Sequence, residues 1–139
     1  MTISLDTNVI VDVIRGRPDV RASFLRSVLS GDWMVVSAIV WHELRFGALV
    51  SGQPEREWAR LDQVLGRFDK IDFDAADAAA TAELRAELRQ KGAGIGAYDA
   101  LIAGQARARG WTVATANTRE FGRVDGLNVV DWTDPTGQE

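Results

Sequence analysis

Apolar residues along the chain occur either in short continuous runs or at helical spacing. The short runs predict five buried strands, at residues 3–5, 33–36, 71–73, 112–115 and 127–130. Between these runs, apolar residues recur every three or four positions, as Val9, Ile10, Val13 and Ile14 do. This spacing predicts six helices, over residues 8–14, 19–31, 39–47, 58–68, 74–90 and 97–109.

Residues that favour helix ends support this division. Ser37 directly precedes the third helix and is well placed to cap it. Gly110 follows the last helix, where a glycine commonly forms the C-cap. Strands that are separated by helices must run parallel, because each connection has to cross the sheet. The sequence therefore predicts an α/β fold with three layers, in which helices flank a mostly parallel sheet of four to five strands.

Length and composition limit the alternatives. With 139 residues, the chain is expected to form one domain over residues 1–133, followed by a frayed polar tail at 134–139. The absence of cysteine excludes disulfides and thiolate metal sites. We find neither a signal peptide nor an apolar stretch of about 20 residues, so we expect a cytoplasmic protein without a membrane span.

The formal net charge is −4, whereas a nucleic-acid-binding domain is usually basic. Of the 16 basic residues, all except Lys70 and Lys91 are arginines. Arginine suits forked contacts to phosphate, but it is equally common on exposed helix surfaces. The charge balance alone therefore does not favour an RNA-binding function.

Three carboxylates occur in apolar surroundings, unlike the many acidic residues on exposed helix faces. Asp6 ends the first strand, Glu43 lies within an apolar helix, and Asp99 begins the most hydrophobic helical segment. A buried charge without a partner is very costly, so each carboxylate needs a cation, an arginine or a helix N-terminus. A divalent cation such as Mg²⁺ would satisfy several converging carboxylates at once.

Each carboxylate on its own also has a purely structural interpretation. Asp6 can cap the first helix through the amide of Asn8 or Val9. Glu43 can pair with Arg45 or another arginine, and Asp99 can cap the helix that it begins. For a single residue these alternatives are as plausible as catalysis, and only the joint arrangement favours a metal site.

Four motifs occur at the predicted strand and helix ends. They are Leu5-Asp6-Thr7-Asn8, then Ser37 followed by Glu43-Leu44 and Gly47, then Gly96-Ala-Tyr-Asp99-Ala-Leu-Ile-Ala, and finally Thr115-Ala-Asn117-Thr-Arg-Glu120-Phe121. In these motifs and their order, nearly the whole chain resembles the PIN domain, and most closely the VapC toxins of toxin–antitoxin pairs. The resemblance implies a PIN-like α/β/α fold.

The resemblance also implies roles for individual residues. Asp6, Glu43 and Asp99 match the acidic metal ligands of the family, and Asn117 matches a fourth catalytic position. Many family members have an aspartate there, so the asparagine puts a second metal site in doubt. The residues that match supporting positions around these ligands are Thr7, Asn8, Ser37, Thr115 and Glu120.

The activity that this resemblance implies is Mg²⁺-dependent hydrolysis of RNA, with Mn²⁺ as a possible substitute. The expected substrate is structured RNA such as tRNA, so that cleavage inhibits translation. RNA would be held by a rim of basic side chains, for which the candidates are Arg15, Arg17, Arg85, Arg89 and Lys91. No histidine base is required, and we interpret His42, the single histidine, as a packing or surface residue.

The resemblance further implies protein partners. These are a small VapB-like antitoxin that covers the acidic groove, a second copy of the chain in a homodimer, and a possible higher toxin–antitoxin assembly. Trp41 and Trp58 lie in the two helices that the family uses to hold the antitoxin. Aromatic residues often anchor such interfaces, although tryptophans at helical spacing are equally often core residues.

Other functions fit less well. A haloacid-dehalogenase-type phosphatase needs a second aspartate two residues after the first, and position 8 is Asn8. A receiver domain needs a lysine after a late strand, where the chain has none. The remaining alternative from another class is a non-catalytic PIN-fold scaffold, against which the intact Asp6, Glu43 and Asp99 argue.

Overall fold

Five parallel strands form one sheet in the computed structural model, which describes residues 1–134. The strands are β1 (Thr2–Leu5), β2 (Trp33–Ser37), β3 (Asp69–Ile71), β4 (Thr112–Ala114) and β5 (Asn128–Val130), in the order β3-β2-β1-β4-β5. The helices are α1 (Thr7–Ile14), α2 (Pro18–Leu29), α3 (Ala38–Leu49), α4 (Pro54–Leu65), α5 (Ala75–Gln90), α6 (Ala97–Arg109) and α7 (Thr118–Phe121). This architecture confirms the predicted three-layer α/β/α fold.

Several predicted bounds differ from the observed ones by one or two residues, and the larger differences are at β3, α4 and α7. The third strand covers Asp69–Ile71 rather than residues 71–73, because pairing with β2 sets its position and Ile71 lies opposite Ser37. The fourth helix starts at Pro54, which is tolerated in the first turn of a helix, and ends before Phe68. The four-residue helix α7 was missed, since it is too short to show a period.

The predicted helix caps are present. The Ser37 hydroxyl accepts a hydrogen bond from the Ile39 amide at 3.2 Å at the start of α3. Gly110 closes α6 with a φ of 70°, in the left-handed region that favours glycine. The tail expected at residues 134–139 lies outside the described residues, apart from Asp134.

The register of the central strands brings three polar residues to one edge of the sheet. Ser4 pairs with Val35 of β2, and Leu5 pairs with Ala114 of β4. One residue further along, Asp6 therefore lies between Ser37 and Thr115 at the carboxyl ends of the strands. The strand order reverses between β1 and β4, which is where ligands bind in open parallel sheets.

An ion pair between the exposed Arg109 and the buried carboxylate of Asp77 joins the end of α6 to α5. Arg109 donates to the two carboxylate oxygens of Asp77 at 3.0 and 2.8 Å, and Gln105 donates to the same carboxylate at 3.0 Å. The Asp77 carboxylate also accepts from the Asp74 amide in a capping box at the start of α5. This contact fixes the two helices far from the sheet edge that carries Asp6.

Within residues 1–134, we find no helix that has the length and apolar character to cross a bilayer.

Candidate active site

Asp6 lies at the carboxyl end of β1 and is 5% exposed. One carboxylate oxygen accepts a hydrogen bond from the Thr7 amide at 2.8 Å, and the other accepts from the Thr115 hydroxyl at 2.8 Å. The residue does cap α1, but through Thr7 rather than through Asn8 or Val9. Two hydrogen bonds from different strands and helices thus fix the orientation of this carboxylate.

Glu43 reaches the same edge of the sheet from α3. Its carboxylate accepts a hydrogen bond from the Thr7 hydroxyl at 3.0 Å. The alternative partner, Arg45, instead lies over the Trp58 ring at 4.6 Å from the ring centroid. Thr7 therefore contacts two of the predicted metal ligands, Asp6 with its amide and Glu43 with its hydroxyl.

Asp99 lies in the first turn of α6 next to the residues that follow β4. Its carboxylate accepts a hydrogen bond from the Asn117 side-chain amide at 3.2 Å, and the same amide group donates to Glu120 at 3.1 Å. The helix N-cap is Gly96, so Asp99 is not the capping residue. Asn117 thus presents hydrogen-bond donors to the two carboxylates, and Glu120 supplies the fourth negative charge.

The pKa values of three of these carboxylates are raised, and that of Glu120 is lowered. Burial is the main cause that raises the pKa of Asp6 and that of Glu43. Burial, a hydrogen bond with Glu120 and repulsion from Asp6, Glu120 and Glu43 raise the pKa of Asp99 to about 7. The pKa of Glu120 is lowered, chiefly because Asp99 donates the shared hydrogen bond. Asp99 therefore interacts electrostatically with the other three acidic side chains, which come from the end of β1, from α3 and from α7.

The donor chemistry of this cluster suits a hard divalent cation. All four acidic groups offer carboxylate oxygens, the ligands that Mg²⁺ and Mn²⁺ favour. Among residues 1–134, no three acidic or histidine side chains stand close enough together to form a complete metal-binding group by themselves. Mg²⁺ usually keeps several water molecules, so it needs only one or two direct carboxylate ligands.

The other predicted supporting residues differ in their positions. The Thr115 hydroxyl donates a hydrogen bond to Asp6 and accepts one from the backbone N–H of Asn117 at 2.9 Å. Ser37 is fully buried as the cap of α3, whereas Asn8 is exposed on α1. His42 is exposed, as expected for a surface residue.

Two of the five predicted basic rim residues are engaged in ion pairs. Arg17 pairs with Asp12 and Asp19, and Lys91 pairs with Asp125. Arg15 is exposed at the end of α1 and lines a cleft of about 300 Å³ that includes Glu43. Arg85 and Arg89 are exposed on α5 and line a second cleft beside the glycine loop at 92–96.

The two tryptophans considered as antitoxin anchors pack against each other between α3 and α4. The rings of Trp41 and Trp58 meet edge to face with centroids 5.2 Å apart, and both are half-buried. Lys70 covers the Trp41 ring at 5.1 Å. Their contacts support a packing role for these two side chains.

The sequence reasoning missed the contact between Asp77 and Arg109 and underrated Glu120. A signal for Asp77 was present, since an acidic residue three positions after Asp74 at a helix start is typical of a capping box. The contact of Glu120 with Asp99 could not be predicted, because it depends on the short helix α7, which the sequence pattern does not show.

Comparisons with known proteins identify the family of the chain. The PIN domain model matches residues 3–127. The chain belongs to the PIN domain family. Within it, the chain is 42% identical to the tRNA(fMet)-specific endonuclease VapC of Shigella flexneri over 93% of this chain and 96% of that protein. It is 38% identical to Ribonuclease VapC2 of Rickettsia felis, over 95% and 98% of the two chains.

Solved structures place the chain in the same group. The structure of VapBC2 from Rickettsia felis bound to a DNA fragment from their promoter superposes with a TM-score of 0.87. That match has 37% identity and covers 95% of this chain and 99% of that one. This PIN domain protein is therefore a ribonuclease of the VapC type.

Proposed function

We propose that the protein is a Mg²⁺-dependent endoribonuclease toxin that cuts structured RNA such as tRNA and so inhibits translation. The observation that carries this proposal is the cluster of Asp6, Glu43, Asp99 and Glu120 at the carboxyl edge of the sheet. Burial is the main cause that raises the pKa values of the first three, and repulsion between carboxylates adds to the rise for Glu43 and Asp99. Such a cluster is stabilised by a bound cation. Mn²⁺ is expected to substitute for Mg²⁺, since both accept carboxylate ligands.

The residues of the chain have distinct tasks in this proposal. Asp6, Glu43 and Asp99 hold the cation, while Thr7 and Thr115 keep the first two carboxylates in place. The side-chain amide of Asn117 donates a hydrogen bond to Asp99 and another to Glu120 and so orients both groups. When bound, the cation would supply positive charge to the phosphate and lower the pKa of a water molecule.

The substrate and partners follow from the relatives. A tRNA-specific endonuclease is 42% identical to this chain, which supports tRNA as the substrate class. The VapBC2 structure supports a VapB-like antitoxin as a partner. We expect this antitoxin to cover the acidic site until it is released. We expect a homodimer, or a larger assembly with the antitoxin, acting in the cytoplasm. Three candidates for the RNA-binding rim form no ion pair within residues 1–134. They are Arg15, Arg85 and Arg89.

Cleavage of total cellular RNA tests the proposal. The native chain, freed of antitoxin, is incubated with Mg²⁺ or Mn²⁺, alongside Asp99→Asn, Asp6→Asn and a sample with EDTA. A discrete set of products is expected from the native chain, and sequencing of the new ends identifies the substrate. Asp62→Asn, at an exposed carboxylate of α4, is the matched control and should cleave like the native chain.

Two outcomes would contradict the proposal in different ways. Cleavage that persists in purified, well-folded Asp99→Asn or Asp6→Asn would exclude these residues as metal ligands. A native chain without any cleavage, and without stabilisation by Mn²⁺ that depends on these carboxylates, would favour the scaffold alternative. Thermal unfolding with and without Mn²⁺ measures that stabilisation.

A further inference from the structure

Two aromatic side chains lie side by side next to the acidic cluster. The centroids of the His42 and Tyr98 rings are 5.5 Å apart, and the ring planes are tilted by 40°. His42 directly precedes Glu43 on α3, and Tyr98 directly precedes Asp99 on α6. The pair therefore bridges the two helices that carry these carboxylates.

Packing does not account for this pair. Tyr98 is 48% exposed, His42 is exposed, and neither belongs to the hydrophobic core. In contrast, the half-buried Trp41 and Trp58 rings pack against the core. Exposed aromatic surface beside a functional site is a common mark of ligand binding.

The charge of the site limits how it can attract RNA. The chain has a net charge of −4, and the proposed site contains the carboxyl groups of Asp6, Glu43, Asp99 and Glu120. Contacts to phosphate alone would therefore give weak RNA binding, since the negative charge of these carboxyl groups repels phosphate. Stacking of a base on an aromatic ring needs no positive charge on the protein and tolerates any base.

We propose that His42 and Tyr98 form a stacking site for one unpaired nucleobase of the RNA substrate, beside the phosphate to be cut. This inference rests on the proposed ribonuclease function. The pair positions the nucleotide and takes no part in the chemistry. Sequence-specific proteins usually recognise RNA at unpaired bases of this kind, in loops and bulges.

RNA binding by ring variants tests the site. The probe is a fluorescently labelled single-stranded RNA of about ten nucleotides, a length within the range that such grooves bind. Fluorescence anisotropy is measured with Ca²⁺ in place of Mg²⁺, and gels confirm that the RNA stays intact. Tyr98→Ala is expected to weaken binding about 5- to 100-fold, whereas Tyr98→Phe keeps the ring and should bind like the native chain.

A set of RNAs with one abasic residue at each position supplies the decisive readout. At the stacked position, removal of the base should weaken RNA binding by the native chain but cause no further loss of affinity in Tyr98→Ala. A merely structural effect of Tyr98→Ala would instead be the same on every RNA. Phe46→Ala is the matched control, since Phe46 is 59% exposed one turn further along α3 and outside the pair.

Several results would overturn the inference. One is an RNA affinity of Tyr98→Ala and His42→Ala that equals that of the native chain, and another is an equal loss of affinity at every abasic position. A third is a change of oligomeric state in these variants, measured by light scattering, because it would make the pair a contact between copies of the chain. If Tyr98→Ala does not fold, His42→Ala is tested in the same way.

The same experiments separate the two proposals. If the native chain cleaves RNA but both variants bind RNA normally, only the stacking site is refuted. If the native chain neither cleaves nor binds RNA, the ribonuclease proposal is refuted as well.

Discussion

The hydroxyl of Thr7 donates a hydrogen bond to the carboxylate of Glu43 at 3.0 Å, and this contact connects the first turn of α1 to α3. The Thr7 amide donates to Asp6 at 2.8 Å. A single residue thus positions two of the proposed metal ligands, each through a different donor. Groups that orient metal ligands in this way contribute measurably to metal affinity.

We expect Thr7→Val to lower Mn²⁺ affinity about 10- to 100-fold, because it removes the hydroxyl but keeps the shape and the amide. Isothermal titration calorimetry measures the affinity, and cleavage of the identified RNA should fall in parallel. Thr7→Ser retains the hydroxyl and is the control, with nearly native values. If Thr7→Val binds Mn²⁺ as tightly as the native chain, the orientation of Glu43 does not depend on this hydrogen bond.

Asp99 is expected to make metal binding dependent on pH. Burial, the Glu120 hydrogen bond and nearby carboxylates raise its pKa to about 7, so below this pH a bound cation has to displace a proton. Apparent Mn²⁺ affinity should therefore rise as pH increases to about 7 and level off above it. Calorimetry in two buffers with different ionisation enthalpies should detect release of up to about one proton below that pH.

The control for this prediction is Asp62→Asn, at an exposed carboxylate of α4, which should show the same pH dependence and proton release as the native chain. In the native chain, an affinity that does not change between about pH 6 and pH 8 would show that Asp99 is already ionised there.

Asn117→Asp is expected to have opposite effects with and without metal. The asparagine amide donates to Asp99 at 3.2 Å and to Glu120 at 3.1 Å, whereas an aspartate would add a further negative charge. Without metal, the Tm should fall by roughly 3–8 °C because of this repulsion. With Mn²⁺, the same charge should strengthen binding, so that the metal-induced increase in Tm exceeds that of the native chain.

Asn128→Asp on β5 is the matched control, because this asparagine is exposed and outside the carboxylate cluster. A Tm of Asn117→Asp that equals the native value in EDTA would mean that the amide does not relieve repulsion between Asp99 and Glu120.

The sequence predicted the features that depend on local pattern. Asp6 follows a short apolar run and Glu43 lies among apolar residues, so both stood out before the structure was known. The alternation of strands and helices was also sufficient for the α/β/α fold. The parallel sheet also led us to expect Asp6 and Asn117 near each other, since Asp6 follows β1 and Asn117 comes shortly after β4, and Thr115 hydrogen-bonds to both.

The features that depend on distant contacts were not predictable. Whether Asn117 presents an amide nitrogen or oxygen to Asp99 depends on the turn before α7, which has no periodic pattern. Asp77 looked like one more acidic residue of an exposed helix, and only the packing of α5 on α6 brings Arg109, 32 residues later, against it. The position of β3 likewise depends on pairing with β2 and not on its own apolar residues.

Asp77→Asn should destabilise the fold by about 2–3 kcal/mol near neutral pH without affecting the chemistry. Burial raises the pKa of Asp77, but hydrogen bonds from Arg109, the Asp74 amide and Gln105 outweigh it and lower the pKa to about 2. Because the folded-state pKa is below the ordinary value of 3.8, the ionised carboxylate stabilises the fold fully above that value. This contribution is lost as the pH falls towards about 2.

Urea unfolding of the native chain and Asp77→Asn from about pH 7 down to about pH 3 tests this prediction. The difference in the free energy of unfolding should be constant at neutral pH and shrink at the acid end, where Asp77 of the unfolded chain becomes protonated. Asp62→Asn, at an exposed carboxylate, should unfold like the native chain throughout. A difference that stays the same at all pH values would mean that Asp77 stabilises α5 and α6 by shape and neutral hydrogen bonds rather than by its charge.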